Sequence, residues 1–285
     1  MWFCIELGTT EGQLDLLTGR LAEMGHPASE ILEETAEAPT LRLYIEEAGL
    51  GSARACHRRL VEELGPAIRR ASEPQPVEET VWTENWKQHF TPLLIGKRLA
   101  VLAPWHDAVA EAAGKTVVVI DPGLAFGTGH HETTRSCLEM VERYCTEGLS
   151  VADIGCGSGI LAIAALKLGA GRALATETDP VALDVTRRNA VINGVAERLD
   201  LEAADAAGPR GCFDLVLANI VAGTLVELAP QLTACLAPGG HLVLSGIESD
   251  GASLVKDAVS RSGLRCLEEL DRDSWTTLVM EANGD

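Results

Sequence analysis

Residues 151–160 read VADIGCGSGI, and this stretch decides the fold of the chain. A short apolar segment, Val151–Ile154, runs into three alternating glycines and then into a helix that is expected to begin near Ile160. Because glycine has no Cβ and tolerates positive φ, the backbone can turn sharply there and lie against a ligand. The sequence therefore predicts a buried strand, a tight turn and a helix, the unit that begins nucleoside-binding sites in open α/β sheets.

An acidic residue follows the next apolar run. Ala173–Thr176 is predicted to be the neighbouring strand, and Glu177 stands at its carboxyl end. Ligands of open α/β sheets bind at that edge, where a carboxylate can accept two hydrogen bonds from the hydroxyls of a ribose. Glu177, together with Gly155 and Gly157 of the turn, therefore predicts a pocket for a nucleoside cofactor.

The glycine spacing distinguishes between two such cofactors. The dinucleotide fingerprint needs glycine at its first, third and sixth positions, and the sixth position counted from Gly155 is Ile160. S-Adenosylmethionine has a ribose but no pyrophosphate, so it requires less from a helix N-terminus. We therefore expect S-adenosylmethionine as the cofactor, with a nicotinamide dinucleotide as the alternative.

Composition limits the class of protein and its partners. The chain has 285 residues, of which 46% are hydrophobic, and a formal net charge of −19. Nucleic-acid binding depends on lysine and arginine, so this charge argues against a direct nucleic-acid partner and fits either a basic protein partner or solubility alone. No apolar run is long enough to span a membrane, and the cysteines form no Cys-x-x-Cys pair. We expect no metal site, no membrane partner and a cytoplasmic protein with reduced thiols.

The order of elements predicts two domains. Residues 1–70 read as strand, helix, strand, strand and helix, which indicates a small ferredoxin-like α+β domain. The proline-containing stretch Ser72–Pro76 interrupts this pattern, and 71–100 is predicted to be a linker and interdomain segment. Strands and helices alternate over 101–285, which indicates a doubly wound, Rossmann-like α/β domain with a parallel sheet and helices on both faces.

A second glycine-rich loop lies ahead of the first. Residues 121–134 read DPGLAFGTGHHETT, without the Gly-Lys-Ser/Thr of a phosphate-binding loop, and Arg135 stands where a zinc protease helix would need histidine. The adjacent His130 and His131 would point apart, which argues against joint metal ligation. Thr134 can hydrogen-bond the carboxylate or amine of the cofactor's methionine; alternatively, Thr133 and Thr134 cap the following helix.

Residues 213–222, FDLVLANIVA, are predicted to form a buried strand that ends in an amide. The side-chain oxygen of Asn219 can accept a hydrogen bond from an amine substrate, or Asn219 only shapes the turn. Enzymes that methylate base amino groups carry Asn/Asp-Pro-Pro-aromatic at this place, whereas Ile220–Ala222 contains neither proline nor an aromatic ring. The pattern favours an aliphatic amine over a nucleic-acid base.

Taken together, these motifs resemble the ribosomal protein L11 methyltransferases (PrmA-like), which belong to the class I S-adenosylmethionine-dependent methyltransferases. The resemblance covers nearly the whole chain. It is carried by residues 125–134 (AFGTGHHETT), 153–161 (DIGCGSGIL), 179–180 (DP), 218–220 (ANI) and 236–247 (LAPGGHLVLSGI).

The resemblance implies an activity and a partner. It implies a protein-lysine N-methyltransferase that trimethylates lysine side chains and the N-terminal α-amino group of the basic large-subunit protein L11. It also implies that the domain over 1–70 recognises this substrate. The alternative is a methyltransferase that acts on a different protein lysine or on a small-molecule amine.

The resemblance also implies the site residues. Thr134, Gly155, Glu177 and Asn219 are expected to contact the cofactor, and Gly157, the middle glycine of the same turn, is added to them. The family usually has aspartate at the position of Glu177, so the longer side chain alters the reach of the carboxylate. Asn219 is also the predicted catalytic residue, because its oxygen can orient the amine.

Overall fold

The computed structural model describes residues 2–10, 29–32, 39–77, 90–106, 112–121, 126–204 and 211–282, together with Gln13, Leu17, Arg20 and Leu21. The chain forms two compact units, Met1–Phe90 and Thr91–Asp285, and each unit has its own hydrophobic core. No helix within the described residues is long and apolar enough to span a membrane.

The strands are β1 (Trp2–Gly8), β2 (Ser29–Leu32), β3 (Thr40–Glu46), β4 (Arg70–Ala71), β5 (Gln75–Val77), β6 (Leu93–Ile95), β7 (Leu99–Leu102), β8 (Thr116–Val119), β9 (Ser150–Ile154), β10 (Arg172–Glu177), β11 (Leu199–Ala203), β12 (Phe213–Asn219), β13 (Leu236–Glu248), β14 (Leu264–Arg272) and β15 (Trp275–Ala282). The labelled α-helices are α1 (Leu50–Leu64), α2 (Glu132–Tyr144), α3 (Ile160–Lys167), α4 (Pro180–Ile192), α5 (Ala222–Ala234) and α6 (Ala252–Arg261).

The first unit is an antiparallel sheet that shares a core with α1. Its strand order is β2-β3-β1-β4, and β5 also pairs with β1. Phe3, Ile5 and Leu7 point to one face of β1 and belong to the same core as Leu60 and Leu64 of α1, as expected for a strand with one buried face. This arrangement agrees with the predicted ferredoxin-like α+β fold; the helix predicted between β1 and β2 lies mostly outside the described residues.

The segment predicted as a linker, 71–100, contains strands at both ends. β5 pairs with Trp2–Cys4 of β1, although it includes Pro76, because a strand that is paired on one side tolerates a residue without an N–H. β6 and the first half of β7 also fall in this segment, and these two strands form a three-stranded sheet with β8 in the second unit. β5 thus has a partner distant in sequence, whereas β6 pairs with β7, which follows it directly.

The second unit contains a seven-stranded sheet in the order β11-β10-β9-β12-β13-β15-β14. The five strands from β11 to β13 are parallel, as predicted. The prediction of a parallel sheet is wrong for β15, which runs antiparallel to both β13 and β14. Only Asp273 and Ser274 separate β14 from β15, and Asp273 has φ of 52°. A two-residue connection can join antiparallel strands only.

α3 is buried along almost its whole surface, from Ile160 to Leu166. It contacts β9 and β10 on one side and β8 on the other, which explains why its sequence is apolar all round rather than amphipathic. Asn193, which follows α4, joins β8 to this layer: its Oδ1 accepts from Val119 N at 2.8 Å and its Nδ2 donates to Val119 O at 2.6 Å. The residue that follows α4 is therefore hydrogen-bonded to β8.

Candidate functional site

The candidate site lies at the carboxyl edge of the seven-stranded sheet, between β9 and β12. The chain proceeds from β9 outward to β10 and β11 on one side, and from β12 to β13 on the other, so this is the switch point at which open α/β sheets bind ligands. A cavity of about 500 Å³ opens there. It is lined by Phe126, Gly127, Thr134, Ile154, Gly155, Cys156, Gly157, Ile160, Leu161, Glu177, Thr178, Ala204, Asn219, Ile220, Val221, Thr224 and Leu228.

The turn between β9 and α3 requires glycine for two reasons. Gly155 and Gly157 have φ of 72° and 53°, a region that other residues rarely adopt. A Cβ on Gly155 would lie 2.5 Å from Cγ2 of Ile220, and one on Gly157 would lie 2.5 Å from the carbonyl oxygen of Phe126. The missing side chains therefore permit both the turn and the close approach of two other cavity segments.

Glu177 connects the end of β10 to this turn. Its Oε2 accepts a hydrogen bond from Gly157 N at 3.0 Å, and its Oε1 accepts from Thr178 N at 2.7 Å and Asp179 N at 3.2 Å. A carboxylate has about four acceptor positions, so Oε2, with Gly157 N as its donor, retains acceptor capacity, and Glu177 lines the cavity. The carboxylate is thus fixed by backbone donors and still able to accept from a ligand hydroxyl.

Thr134 and Asn219 meet on the opposite wall. Nδ2 of Asn219 donates to Oγ1 of Thr134 at 3.4 Å, while Oδ1 of Asn219 is buried and has no hydrogen-bond partner among the described residues. A buried acceptor without a partner is costly and rare. Asn219 lines the cavity, and its Oδ1 is an acceptor that no described group uses.

The hypothesis that Thr133 and Thr134 cap α2 is wrong. The residue that caps α2 is His131, whose Nδ1 accepts from Thr133 N at 3.3 Å, and both threonines are buried within the first turn of the helix. Thr134 is therefore available to contribute its hydroxyl to the cavity wall.

Among the described residues no group of three or more His, Cys, Asp or Glu side chains is arranged to hold a metal ion.

The two glycine-rich loops are hydrogen-bonded to each other. Ser158 N donates to Phe126 O at 2.9 Å, and Ser158 Oγ donates to Gly127 O at 2.5 Å. Asn189 of α4, which is fully buried, donates from Nδ2 to Ser158 O and accepts at Oδ1 from Asp121 N, both at 3.0 Å. The mouth of the cavity, where Phe126 is 59% exposed, is thus built against the turn that follows β9.

Asp153 is a buried acid beneath the turn. Its side chain is 1% exposed, and Oδ2 accepts a hydrogen bond from Ala162 N at 3.1 Å. Burial raises the pKa of this carboxyl to about 7, and the hydrogen bond from Ala162 opposes that rise only in part. Asp153 is therefore buried and is not among the residues that line the cavity, whereas Glu177 is one of them.

All five predicted site residues, Thr134, Gly155, Gly157, Glu177 and Asn219, line the one cavity. The sequence did not predict the contributions of Phe126, Ile220 and Val221. Ile220 directly follows Asn219, so its position next to the amide was a usable signal. No neighbouring motif indicated Phe126, because hydrogen bonds from Ser158, which is distant in sequence, hold its loop beside the cavity.

The sequence profile described as "Ribosomal protein L11 methyltransferase (PrmA)" matches residues 2–283. The chain belongs to this family. The ribosomal protein L11 methyltransferase of Geobacter metallireducens is 39% identical, over 99% of this chain and 98% of that protein, and that of Chromohalobacter salexigens is 44% identical over 78% and 79%. The crystal structure of ribosomal protein L11 methylase from Lactobacillus delbrueckii subsp. bulgaricus is 33% identical, with a TM-score of 0.63 over 67% of this chain and 98% of that one.

Family membership confirms S-adenosylmethionine, rather than a dinucleotide, as the cofactor, and the residues present fit it. Glu177 offers an acceptor for ribose hydroxyls, and Gly155 and Gly157 leave room for a nucleoside beside the backbone. On the opposite wall, Thr134 and Asn219 offer polar groups for the amino-acid end of the molecule. These individual contacts remain predictions.

Replacing Glu177 tests the ribose contact. We expect Glu177→Ala to weaken S-adenosylmethionine binding by at least about 10-fold, because each hydrogen bond to a charged group contributes roughly 1.5–3 kcal/mol. Glu177→Asp, which keeps a carboxylate on a shorter side chain, should retain most of the affinity. Glu202→Ala, on the adjacent strand β11 and exposed, is the control. Equal calorimetric affinities for Glu177→Ala and Glu202→Ala would refute the assignment.

Asp153 should make stability depend on pH. Because its pKa is raised from 3.8 to about 7 in the folded protein, the folded chain binds more protons than the unfolded chain between these values, and the free energy of unfolding falls as the pH rises through them. Asp153→Asn keeps an acceptor for the Ala162 N–H and removes this titration. As the pH rises from 5.5 to 8, the free energy of unfolding of the unsubstituted chain should therefore fall by about 2 kcal/mol relative to that of the variant.

Urea unfolding at the two pH values measures this difference. Asp214→Asn is the control, because hydrogen bonds from Ser150 lower the pKa of Asp214, so its titration lies below this pH range. If the free energies of unfolding of Asp153→Asn and Asp214→Asn depend on pH in the same way, the raised pKa of Asp153 is contradicted.

Proposed function

We propose that this chain methylates amino groups of ribosomal protein L11, at lysine side chains and at the N-terminal α-amino group. The names of its relatives support L11 as the substrate. The observation that carries the amine assignment is the unpartnered, buried Oδ1 of Asn219, a residue that lines the same cavity as Glu177. An acceptor at this place suits an N–H donor, and Ile220 and Val221 provide no aromatic surface for a nucleic-acid base.

The cavity favours an uncharged amine. A lysine has an ordinary pKa near 10.4 and is mostly charged at neutral pH, but burial against apolar surface disfavours the charged form. Much of the lining is aliphatic or aromatic, including Ile154, Ile160, Leu161 and Leu228. The wall therefore lowers the cost of removing the proton before the amine reacts.

The cofactor supplies a methyl carbon attached to positively charged sulfur. Held by Glu177, Gly155 and Gly157, the cofactor would supply this methyl group to the uncharged amine, whose extra proton would pass to water. Asn219 accepts one amine N–H, which directs the lone pair into the cavity. Alignment of this kind can account for much of the rate.

The described lining offers few groups for proton transfer. Its titratable side chains are Cys156 and Glu177. Burial raises the pKa of Cys156 to about 12, so this thiol stays protonated, and Glu177 is engaged by Gly157 N and Thr178 N. The proposed mechanism therefore assigns no general base to these residues and depends on desolvation and orientation.

The partner belongs to the same proposal. A net charge of −19 suits association with a basic protein, and the first unit, Met1–Phe90, is proposed to recognise it. No direct nucleic-acid partner is proposed. A cytoplasmic location is also part of the proposal, since ribosomal proteins are made there.

A labelled-methyl transfer assay tests the function. Purified full-length protein, incubated with methyl-labelled S-adenosylmethionine and purified L11, should label L11, and mass spectrometry should locate the label on lysine and α-amino nitrogen. The fragment Thr91–Asp285 should still bind the cofactor but should not label L11. Label on a different protein or on small molecules of a cell extract, with none on L11, would contradict the substrate; labelling by the fragment at the full rate would contradict the role of the first unit.

Asn219→Ala tests the amine contact. We expect turnover of L11 to fall by roughly 10- to 100-fold, the effect of losing about 1.5–3 kcal/mol in the transition state, with little change in the KM for L11. Thr224→Ala, which alters another polar residue of the cavity, is the matched control. Single-turnover rates that are the same for both variants would remove Asn219 from the mechanism.

A further inference from the structure

Ile220, the residue after Asn219, lies between two glycines of neighbouring strands. A Cβ on Gly155 would lie 2.5 Å from Cγ2 of Ile220, and a Cβ on Gly246 would lie 2.6 Å from the Ile220 carbonyl oxygen and 2.9 Å from its carbonyl carbon. Real Cβ atoms do not approach backbone this closely. The position of the Ile220 peptide therefore depends on the absence of a side chain at residue 246.

Gly246 lies in a bulge of β13. Leu244 pairs with Leu278 and Ile247 pairs with Thr276 of β15, so Ser245 and Gly246 together stand opposite the single residue Thr277. Gly246 has φ of 77°, which an L side chain rarely adopts. Bulges next to active sites commonly change the direction of a strand and re-aim a side chain.

The residue before Gly246 secures this bulge. Ser245 O accepts from Ile220 N at 3.1 Å, and Ser245 Oγ is hydrogen-bonded to Thr277 Oγ1 at 2.7 Å. Asn219 itself pairs with Ser245 across the parallel β12–β13 ladder. The end of β12 is thus held by hydrogen bonds to Ser245 and by close packing on Gly246.

We infer that Gly246 is a positioning residue for methyl transfer. Gly246 is not among the cavity-lining residues, so it acts through Ile220. Because Gly246 has no Cβ, the Ile220 peptide can lie against β13. The position of this peptide in turn sets the position of the Asn219 side chain. The inference rests on the proposed function for the reaction it affects. A side chain at residue 246 would displace Ile220 and, with it, the amide of Asn219.

The same strand supplies a matched control. Gly239 has φ of 72°, close to that of Gly246, but a Cβ there would meet no atom within 4 Å. Alanine at either position therefore introduces a similar backbone strain, whereas only alanine at 246 collides with Ile220. Asparagine, which tolerates positive φ better than alanine, gives a second pair of variants if an alanine variant does not fold.

The experiment compares Gly246→Ala with Gly239→Ala in the full-length chain. We expect Gly246→Ala to lower kcat for L11 by about 10- to 100-fold, because small misplacements of reacting groups cost this much, while calorimetric affinity for S-adenosylmethionine stays within about 3-fold. Gly239→Ala should keep kcat within about 2-fold. Equal kcat values for the two variants would overturn the inference, and so would a loss confined to cofactor affinity.

A second readout does not depend on activity. In protein labelled with ¹⁵N-asparagine, the side-chain amide signals of Asn219, assigned with Asn219→Ala, should shift in Gly246→Ala and not in Gly239→Ala. If the unsubstituted chain transfers no methyl group to any amine, the proposed function fails, and this shift still supports the placement of Asn219 by Gly246. Unchanged Asn219 signals in an enzyme that methylates L11 would overturn the inference alone.

Discussion

The hydrogen bond from the Gly157 N–H to the Glu177 carboxylate joins the turn after β9 to the end of β10, and the rest of the site is built around it. The turn needs positive φ at Gly155 and Gly157, and its N–H groups require partners: those of Gly155 and Cys156 donate to Thr176 O of β10. A carboxylate at the end of the next parallel strand satisfies that of Gly157 and is fixed by it. The same bond thus stabilises a costly turn and orients the carboxylate that is predicted to accept from the cofactor ribose.

The opposite wall depends on close backbone packing. Ile220 approaches Gly155 on one side and Gly246 on the other, and this brings Asn219 beside Thr134 of α2. Gly155, which is predicted to leave room for the cofactor beside β9, also permits the close approach of Ile220 after β12. Both walls of the cavity therefore depend on glycines, because the missing Cβ atoms permit the close packing of the backbone.

Much of this arrangement follows from local sequence. The strand, glycine turn and helix over 151–160 and the acid at 177 are adjacent in sequence to the elements that position them, so pattern alone located Gly155, Gly157 and Glu177 in the cavity. The strands β6 and β15 pair with strands next to them in sequence, β7 and β14, but their turns carry no glycine pair or proline signal that was recognised. The strand β5 pairs with β1 at the start of the chain, a partner that local composition does not encode. The bulge at Gly246 is of the same kind, because its role appears only when β12, β13 and β15 are side by side.

A crystal structure of the protein with S-adenosylmethionine tests the central claim most directly. The account predicts the ribose hydroxyls within hydrogen-bond distance of Glu177, adenosine against the backbone of Gly155 and Gly157, and the methyl-bearing sulfur facing Oδ1 of Asn219. Cofactor bound with its ribose away from Glu177, or with its sulfur turned from Asn219, would contradict it.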